Sequence, residues 1–512
     1  MQGTGSTENI VVKKIPVLLF NPRATNYNSR IPNSILQIAA SIEGAHDYII
    51  VDGNKEKDPL NKIETLIEKE GIKYLGITVM PGPQLRQAIP LSMRVRKKFP
   101  QIKIIWGGYF PSNHPRAVLD SGYVDAIVNG MGDQAFPLLL NHYEKKIPLG
   151  DIPNIIYKED GGIVTSRKDA IYNPDQLPAL PYEKLNSFYP LQNYMVRTYL
   201  GRKTTGYHSS FGCPFTCSFC AVVPIYNARW KGKSAENIFK DLKFLKDRYG
   251  ADSVEFHDNN FFVSEKRTVE FAKLIAPENM QWWGEARIDT MDKYSDESLR
   301  VISESGCRMI FFGAETGNDT LLKRMDKGGT QTGEQILKFA QRIRKFNIIP
   351  EYSFVLGTPA GTEEEVNRLI DEDIEFIRKV KEINPDTEII IYVYSPVPTE
   401  GSEMFETVKQ SGFRFPERLE DWISPEWEKF DLRKNPLTPW LMPYMIDKIK
   451  SFETVLNGYF PTVSDTRFSR LQKKFIRMYS TPRYKSGFYR YPLGIKALQK
   501  IWRYRQPELE GF

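Results

Sequence analysis

The chain of 512 residues reads as an α/β protein: two successive units of alternating strands and helices, then a helical, basic carboxyl-terminal region. Three observations predict this. From Ile15 to about Leu140 short apolar runs alternate with longer amphipathic ones, the pattern of βα units that wind into a parallel, Rossmann-like sheet. The alternation resumes from about 205 to 400, after a proline-rich interval. Apolar residues make up 41%, aromatics 12% and charged residues 26%, a globular composition that excludes disorder as a description of the whole. No stretch approaches the roughly 18 uninterrupted apolar residues of a membrane span.

In the first unit, strands are expected at Pro16 to Phe20, Tyr48 to Val51, Tyr74 to Val79, Lys103 to Trp106 and Ala126 to Val128. Each runs into a turn-forming loop: Asn21-Pro22, Asp52-Gly53-Asn54, Met80-Pro81-Gly82-Pro83, Gly107-Gly108 and Gly130-Met131-Gly132. Ligands of open α/β sheets bind beyond the carboxyl ends of the strands, so this unit is expected to hold a cofactor. A scaffold whose glycines merely close turns is the competing reading. No G-x-G-x-x-G follows the first strand, which argues against a nicotinamide. Pro174, Pro178, Pro181 and Pro190 then mark 151–200 as an irregular linker.

In the second unit, strands are expected at Ser253 to Phe256, through Trp283-Gly284-Glu285, and at Met309 to Phe312, Glu351 to Leu356 and Glu388 to Tyr394. Ala235 to Tyr249 and Thr332 to Phe346 read as helices between them. Only four cysteines occur, and Cys213, Cys217 and Cys220 crowd into one loop, so they read as a site and not as a disulfide scaffold. Three thiolates at C-x3-C-x2-C can ligate three irons of a [4Fe-4S] cube and leave the fourth iron open. Zinc completed by His208 or His257 is the alternative, although structural zinc sites usually pair cysteines as C-x2-C. Cys307 reads as a small core residue entering a strand.

This spacing, with Phe219 before the last cysteine, closely resembles the radical S-adenosylmethionine superfamily. The resemblance implies a partial barrel of six βα units over about 201–405, a [4Fe-4S] cluster held by Cys213, Cys217 and Cys220, and S-adenosylmethionine at the open iron. His257-Asp258-Asn259-Asn260-Phe261 matches the region that contacts the methionine end of the cosubstrate, which singles out Asp258 and Asn260. Glu315 matches the carboxylate near its ribose or amino group, and Gly357 and Pro359 lie in the loop matching the one beside the adenine. Trp283-Gly284-Glu285 imitates part of a G-G-E motif one strand too late, leaving Arg287 as the inward polar residue there. Tyr394-Ser395-Pro396-Val397-Pro398-Thr399-Glu400-Gly401 resembles a P-x-P-G-T ending with one extra residue. Ordinary buried pairing is the structural reading for Glu315 and Arg287.

Gly107-Gly108, His114-Pro115 and the run Val124 to Gly130 resemble the cobalamin-binding domain found ahead of many such enzymes. That implies a cobalamin site in 1–150 built around Val79, Met80, Gly107, Gly108, Tyr109 and Gly130. Asn54 stands where histidine-ligating cobalamin domains carry their histidine, so no imidazole is expected from that loop, and Met80 is the candidate beneath the cobalt.

The last segment, 406–512, is read as helical. From Pro461 onward twelve basic residues face three acidic ones, so this tail carries +9 and the preceding 460 residues −2 of the overall +7. Phe468, Leu471, Phe475 and Met478 recur at helical spacing. Three readings compete: a helix capping the barrel with that stripe, an amphipathic surface on anionic lipid, and nucleic-acid contact.

The resemblance implies C-methylation of an unactivated carbon of a small, hydrophobic molecule through a 5′-deoxyadenosyl radical and methylcobalamin. Its partners would be that substrate and a flavodoxin- or ferredoxin-type electron donor, with peripheral membrane contact through the tail and no nucleic acid. An oxygen-sensitive cluster implies a reducing, anaerobic cytoplasm. Oxidative cyclisation or rearrangement without methyl transfer is the alternative. A cobalamin sensor ranks lower, as does a methylthiotransferase, which needs a second cluster on amino-terminal cysteines that are absent before Cys213.

Overall fold

The computed structural model describes residues 16–25, 28–325, 331–394, 403–428, 437–464 and 468–502. The first sheet has seven strands: β1 (Val17–Asn21), β2 (Tyr48–Asp52), β3 (Tyr74–Thr78), β4 (Lys103–Gly107), β5 (Ala126–Val128), β6 (Ile155–Glu159) and β7 (Gly162–Thr165). Their order is β2-β1-β3-β4-β5-β6-β7, with β1 to β5 parallel and β6 and β7 antiparallel. β1 is buried at all five positions, as a central strand covered by helices on both faces must be. The chain reverses direction across the sheet between β1 and β3, which places the ligand crevice there. Local chemistry punctuates the helices. Asp58 caps the helix Pro59–Glu70 by accepting from the Asn61 N–H, Pro59 opens it, and Gly71 ends it at φ +67°.

The expected linker is a different object. β6 and β7 extend the first sheet as a hairpin, so its beginning belongs to the first unit. Proline density marked the chain after Thr165 well, but Ile155, Ile156 and Tyr157 alternate too briefly to outweigh it. The remainder is not exposed either: Tyr182, Leu185, Tyr189, Leu191 and Tyr194 are buried in the same core as both sheets. Tyr194 donates to Asp52 at 2.7 Å, fastening this segment to the end of β2.

The second sheet has six parallel strands in the order β15-β14-β13-β12-β11-β8. These are β8 (Thr204–Tyr207), β11 (Ser253–Phe256), β12 (Gln281–Ala286), β13 (Cys307–Glu315), β14 (Ile349–Leu356) and β15 (Glu388–Val393), while β9 (Ser210–Gly212) and β10 (Trp230–Gly232) form a small antiparallel pair. β8 and β15 are edges, so the barrel is open, as expected. β8 reads Thr-Thr-Gly-Tyr and carries no apolar run, yet all four residues are buried. The helix Ala235–Tyr249 starts and stops where the sequence places it, with Ser234 accepting from Asn237 N–H and Gly250 left-handed at its end. Cys307 is fully buried in the core, where burial pushes its thiol well above the ordinary range.

After the shorter Glu403–Gln410 and Pro425–Glu428, the described residues end on three helices: Pro443–Tyr459, Arg470–Ser486 and Leu493–Ile501. The second buries Ile476, Ser480 and Tyr484, not the stripe the sequence singles out. Phe468 is buried, but Leu471, Phe475 and Met478 are exposed. The reason is a close helix contact. Gly458 has no side chain, and a Cβ there would stand 2.2 Å from Ser480 Oγ. Tyr484 stacks on Tyr459 at 4.3 Å beside it. Small residues at the crossing rotate the helix by that face, so the more hydrophobic stripe points outward. Among the described residues, no helix is long and apolar enough to cross a membrane.

Candidate functional site

The cysteine loop leaves the barrel directly after β9. Gly212 makes this exit at φ +75°, where a Cβ would lie 2.2 Å from the Arg229 carbonyl, so only glycine fits. Ser218 ties the loop down by donating its N–H to the Met325 carbonyl at 3.1 Å and its hydroxyl to the Arg324 carbonyl at 3.0 Å. Cys217 is buried, while Cys213 and Cys220 are partly exposed. Burial raises the Cys213 thiol. Among the described residues no three His, Cys, Asp or Glu side chains stand together as a preformed metal site.

Side chains from successive strand ends surround this loop. After β12, Arg287 donates to Cys217 Sγ at 3.0 Å and pairs with Asp289 at 2.9 and 2.8 Å. Its guanidinium lies over the Phe215 ring at 4.0 Å. Burial opposes that charge, but Asp289 and the sulfur hold it on. After β11, Asn260 faces the Cys213 thiol and is buried, with both ends of its amide lacking a hydrogen-bond partner. Beyond β14, Thr358 Oγ1 is orphaned in the same way. Buried polar groups are normally satisfied, so two orphans at the carboxyl ends of β11 and β14 fit a polar molecule such as S-adenosylmethionine. Glu315, at the end of β13, is buried in the left-handed region at φ +63°, an uncommon conformation for a residue other than glycine.

Asp258, which the motif sets near the methionine end of the cosubstrate, is engaged by hydrogen bonds within the protein. It accepts from the Ser209 N–H at 3.1 Å, from the Ser209 hydroxyl at 2.9 Å and from the Ser210 hydroxyl. A carboxylate so engaged anchors the turn into β9, and through it the cysteine loop. Gly357 is left-handed at φ +81° and accepts from Trp440 Nε1 at 2.9 Å. Pro359 is buried. Phe219 packs in an aromatic cluster with Tyr394 and Trp440. The candidate motif from Ser395 to Gly401 lies outside the described residues.

Asp373 accepts from Thr316 Oγ1 at 2.6 Å and the Gly317 N–H at 3.2 Å, holding the turn that follows Glu315. Burial lifts its carboxyl to about 7. An unfolded aspartate titrates near 4, so below that pH both states are protonated and the group is neutral to stability. From about 4 to about 7 the unfolded chain alone loses the proton, and stability falls as pH rises; above 7 the full penalty persists. Asp373→Asn is therefore expected to raise the thermal midpoint relative to wild type at pH 8 but not at pH 4. Melting curves at the two pH values check this; an equal shift at both would contradict it.

The first sheet aims its strand ends at the same region. Gly107, Gly108, Tyr109, Gly130 and Met80 line one wall of a cavity of about 830 Å³, and His208, His257, Asn259, Trp283 and Glu285 line the other. Tyr109 donates to Asn259 at 2.8 Å across this junction. Arg30 meets Glu255 bidentately at 2.9 and 3.1 Å. Although burial raises the Glu255 carboxyl, His257 and Arg30 pull it down to about 2. His208 presents its surface to the cavity, where desolvation and His257 lower it to about 4 and keep it neutral.

Val79 is a correction. It is fully buried and away from the cavity, and its backbone supports the glycine loop by donating to the Gly107 carbonyl and accepting from the Phe110 N–H. Strand alternation turns its side chain inward while Met80 stays exposed at the wall. Asn54, in the place of the histidine, accepts from the Ala24 and Thr25 N–H groups at 2.9 and 3.2 Å and so shapes the loop after β1. The sequence reading missed Arg30, Glu255 and Glu351, and weighed His208 only as a zinc ligand. The usable signal was a carboxylate inside an otherwise apolar strand, as in Ser253–Phe256 and Ile349–Leu356.

A B12 binding domain matches residues 24–140, and the radical SAM superfamily matches 207–373. An uncharacterized methyltransferase of Pyrococcus horikoshii is 26% identical over 379 residues, covering 72% of this chain and 79% of that protein. The anaerobic magnesium-protoporphyrin IX monomethyl ester cyclase of Synechocystis is 24% identical over 395 residues, 74% of each. The cobalamin-dependent S-adenosylmethionine radical enzyme OxsB, solved with aqua-cobalamin and S-adenosylmethionine, shares the fold at a TM-score of 0.69 and 14% identity, over 96% of this chain and 75% of that one. The cofactors are accordingly a [4Fe-4S] cluster, S-adenosylmethionine and cobalamin. With one cofactor domain facing the other across a shared cavity, the chain belongs to the cobalamin-binding radical S-adenosylmethionine enzymes.

Proposed function

We propose that this enzyme transfers a methyl group from cobalamin to an unactivated carbon of a small, largely hydrophobic molecule. The observation that carries the reading is the cavity of about 830 Å³ that both cofactor domains line. Bound at these sites, the cofactors supply a hydrogen-abstracting radical and a methyl group for the carbon so opened. Cys213, Cys217 and Cys220 hold the cluster. Arg287 donates to Cys217, keeping that sulfur oriented. Asn260, Glu315, Gly357 and Thr358 present polar and backbone groups to the cosubstrate. Gly107, Gly108 and Gly130 would give the corrinoid a wall without side chains, and Met80 would offer its thioether from the same wall. Trp283 and Met309 offer apolar surface to the substrate. The electron comes from a flavodoxin- or ferredoxin-type donor.

The relative named as a methyltransferase supports this reading, and the cyclase relative marks its rival. Anaerobic turnover with methyl-labelled S-adenosylmethionine and extracts of candidate hydrophobic substrates separates them. Label on a product carbon is expected; a product that forms without label establishes cyclisation or rearrangement instead.

A further inference from the structure

From Phe468 to Trp502 the chain holds nine basic residues and no acidic one. The helices Arg470–Ser486 and Leu493–Ile501 both pack on Pro443–Tyr459. Tyr484 stacks on Tyr459, and Gly458 admits Ser480 and Ile495. Their opposite faces therefore point away from the protein. On those faces Leu471 is 79% exposed, Met478 66%, Leu493 70% and Ile501 71%. Arg470, Lys474, Lys485, Arg490, Lys496 and Lys500 are exposed with them. Large aliphatic side chains held this far into water are costly singly and unusual as a group.

We propose that this helix pair docks on an anionic lipid bilayer, its aliphatic side chains entering the interface and its lysines and arginines meeting acidic headgroups. Charge selects among occupants. A second copy of the same face would set nine positive charges against nine, which repels. Nucleic acid would satisfy the charge and find rings to stack on in the exposed Phe475, Tyr479, Phe488 and Tyr491, but it would leave Leu471, Met478, Leu493 and Ile501 in water. An acidic bilayer satisfies both halves of the surface. The helix Arg470–Ser486, 17 residues and about 25 Å long, is long enough to lie along it.

The site connects inward. The shared cavity reaches Met309 at the start of β13 and Thr462 and Ser464 just before these helices, so it spans the barrel from the corrinoid wall to the opposite strand ends. Lys473 donates to the Thr462 carbonyl at 2.7 Å, joining the proposed docking helix to that rim. Docking would thus bring one end of the substrate cavity beside the lipid. The docking itself does not depend on the reaction catalysed.

Full-length protein, purified anaerobically with its cofactors, is to be sedimented with phosphatidylcholine vesicles containing or lacking about one third phosphatidylglycerol. Bound protein is expected to rise at least about tenfold with the acidic lipid and to fall in high salt. Leu471→Gln with Met478→Gln, and separately Lys474→Glu with Lys500→Glu, should each reduce binding about tenfold while melting temperature and iron content stay unchanged. All four positions are exposed, so these variants are expected to fold. Equal sedimentation with both vesicle types, or unchanged binding in both double variants, overturns the proposal. So does displacement of the protein from acidic vesicles by a duplex oligonucleotide at equal charge, or dimerisation that the variants abolish. None of these readouts involves methyl transfer, so a failure of docking is distinguishable from a failure of the proposed reaction.

Discussion

Replacing Cys217 with alanine is expected to leave a folded protein that binds no iron. The side chain sits in a loop anchored independently of it, by Ser218 to Met325 and Arg324 and by Asp258 to the strand that leads in. What is lost is one of only three thiolates, and a cube missing a second protein ligand is not retained. Iron should drop from about four per chain to a trace, and S-adenosylmethionine cleavage should fall to the uncatalysed background. Arg287→Lys makes a graded companion. Lysine cannot hold Asp289 bidentately and reach the sulfur together, and changes beside a metal ligand typically cost about 10- to 100-fold in metal affinity or activity. Iron and sulfide analysis of anaerobically reconstituted protein, with the cluster's reduction potential for Arg287→Lys, checks both. Retention of a full cluster by Cys217→Ala would show that the ligands lie elsewhere.

The second large effect is expected at the glycine pair after β4. Gly108 lies at φ +100° and ψ −174°, a region open essentially to glycine, and a Cβ there would stand 2.8 Å from the Val79 carbonyl oxygen. Gly108→Ala is expected to cost about 1–3 kcal/mol of stability and to move Tyr109 off Asn259. Gly107 is different. Its Cβ would meet nothing closer than 3.8 Å from Val128, so alanine is tolerated by the fold but intrudes on the cavity wall. Corrinoid content should therefore fall in both variants, whereas the melting temperature should fall only in Gly108→Ala. Iron content should be unchanged in each. Full corrinoid occupancy in both would place cobalamin away from this loop.

Much of the fold was legible because its signals are local. Five strands of the first sheet and the helix Ala235–Tyr249 follow from apolar runs, caps and turn residues that act within a few positions. The cysteine spacing is local too. β8 was illegible because its burial comes from neighbouring strands and not from apolar composition, and the hairpin Ile155 to Thr165 because proline density downstream masked it. Among site residues, Arg287 lies beside Cys217 and Asn260 beside Cys213, contacts that motif reading did not name. Asp258 and Val79 are engaged within the protein instead. Both stand in the right stretch of chain, but one is saturated by serine donors and the other is turned into the core.

By itself the sequence determined the chemistry: three thiols on one loop, glycines at strand ends, and positive charge gathered in the last segment. These depend on residue identity and short spacing. The tertiary structure alone decided which of these groups meet. Arg30 reaches Glu255 across 225 positions, Tyr109 reaches Asn259 across 150, and both cofactor walls close on one cavity. It also decided which face of the basic helix is turned to the outside, because the close contact of Gly458 with Ser480 outweighs the hydrophobicity of the stripe it leaves in water. Periodicity records that a helix is amphipathic, but only packing against a particular neighbour settles which face is buried.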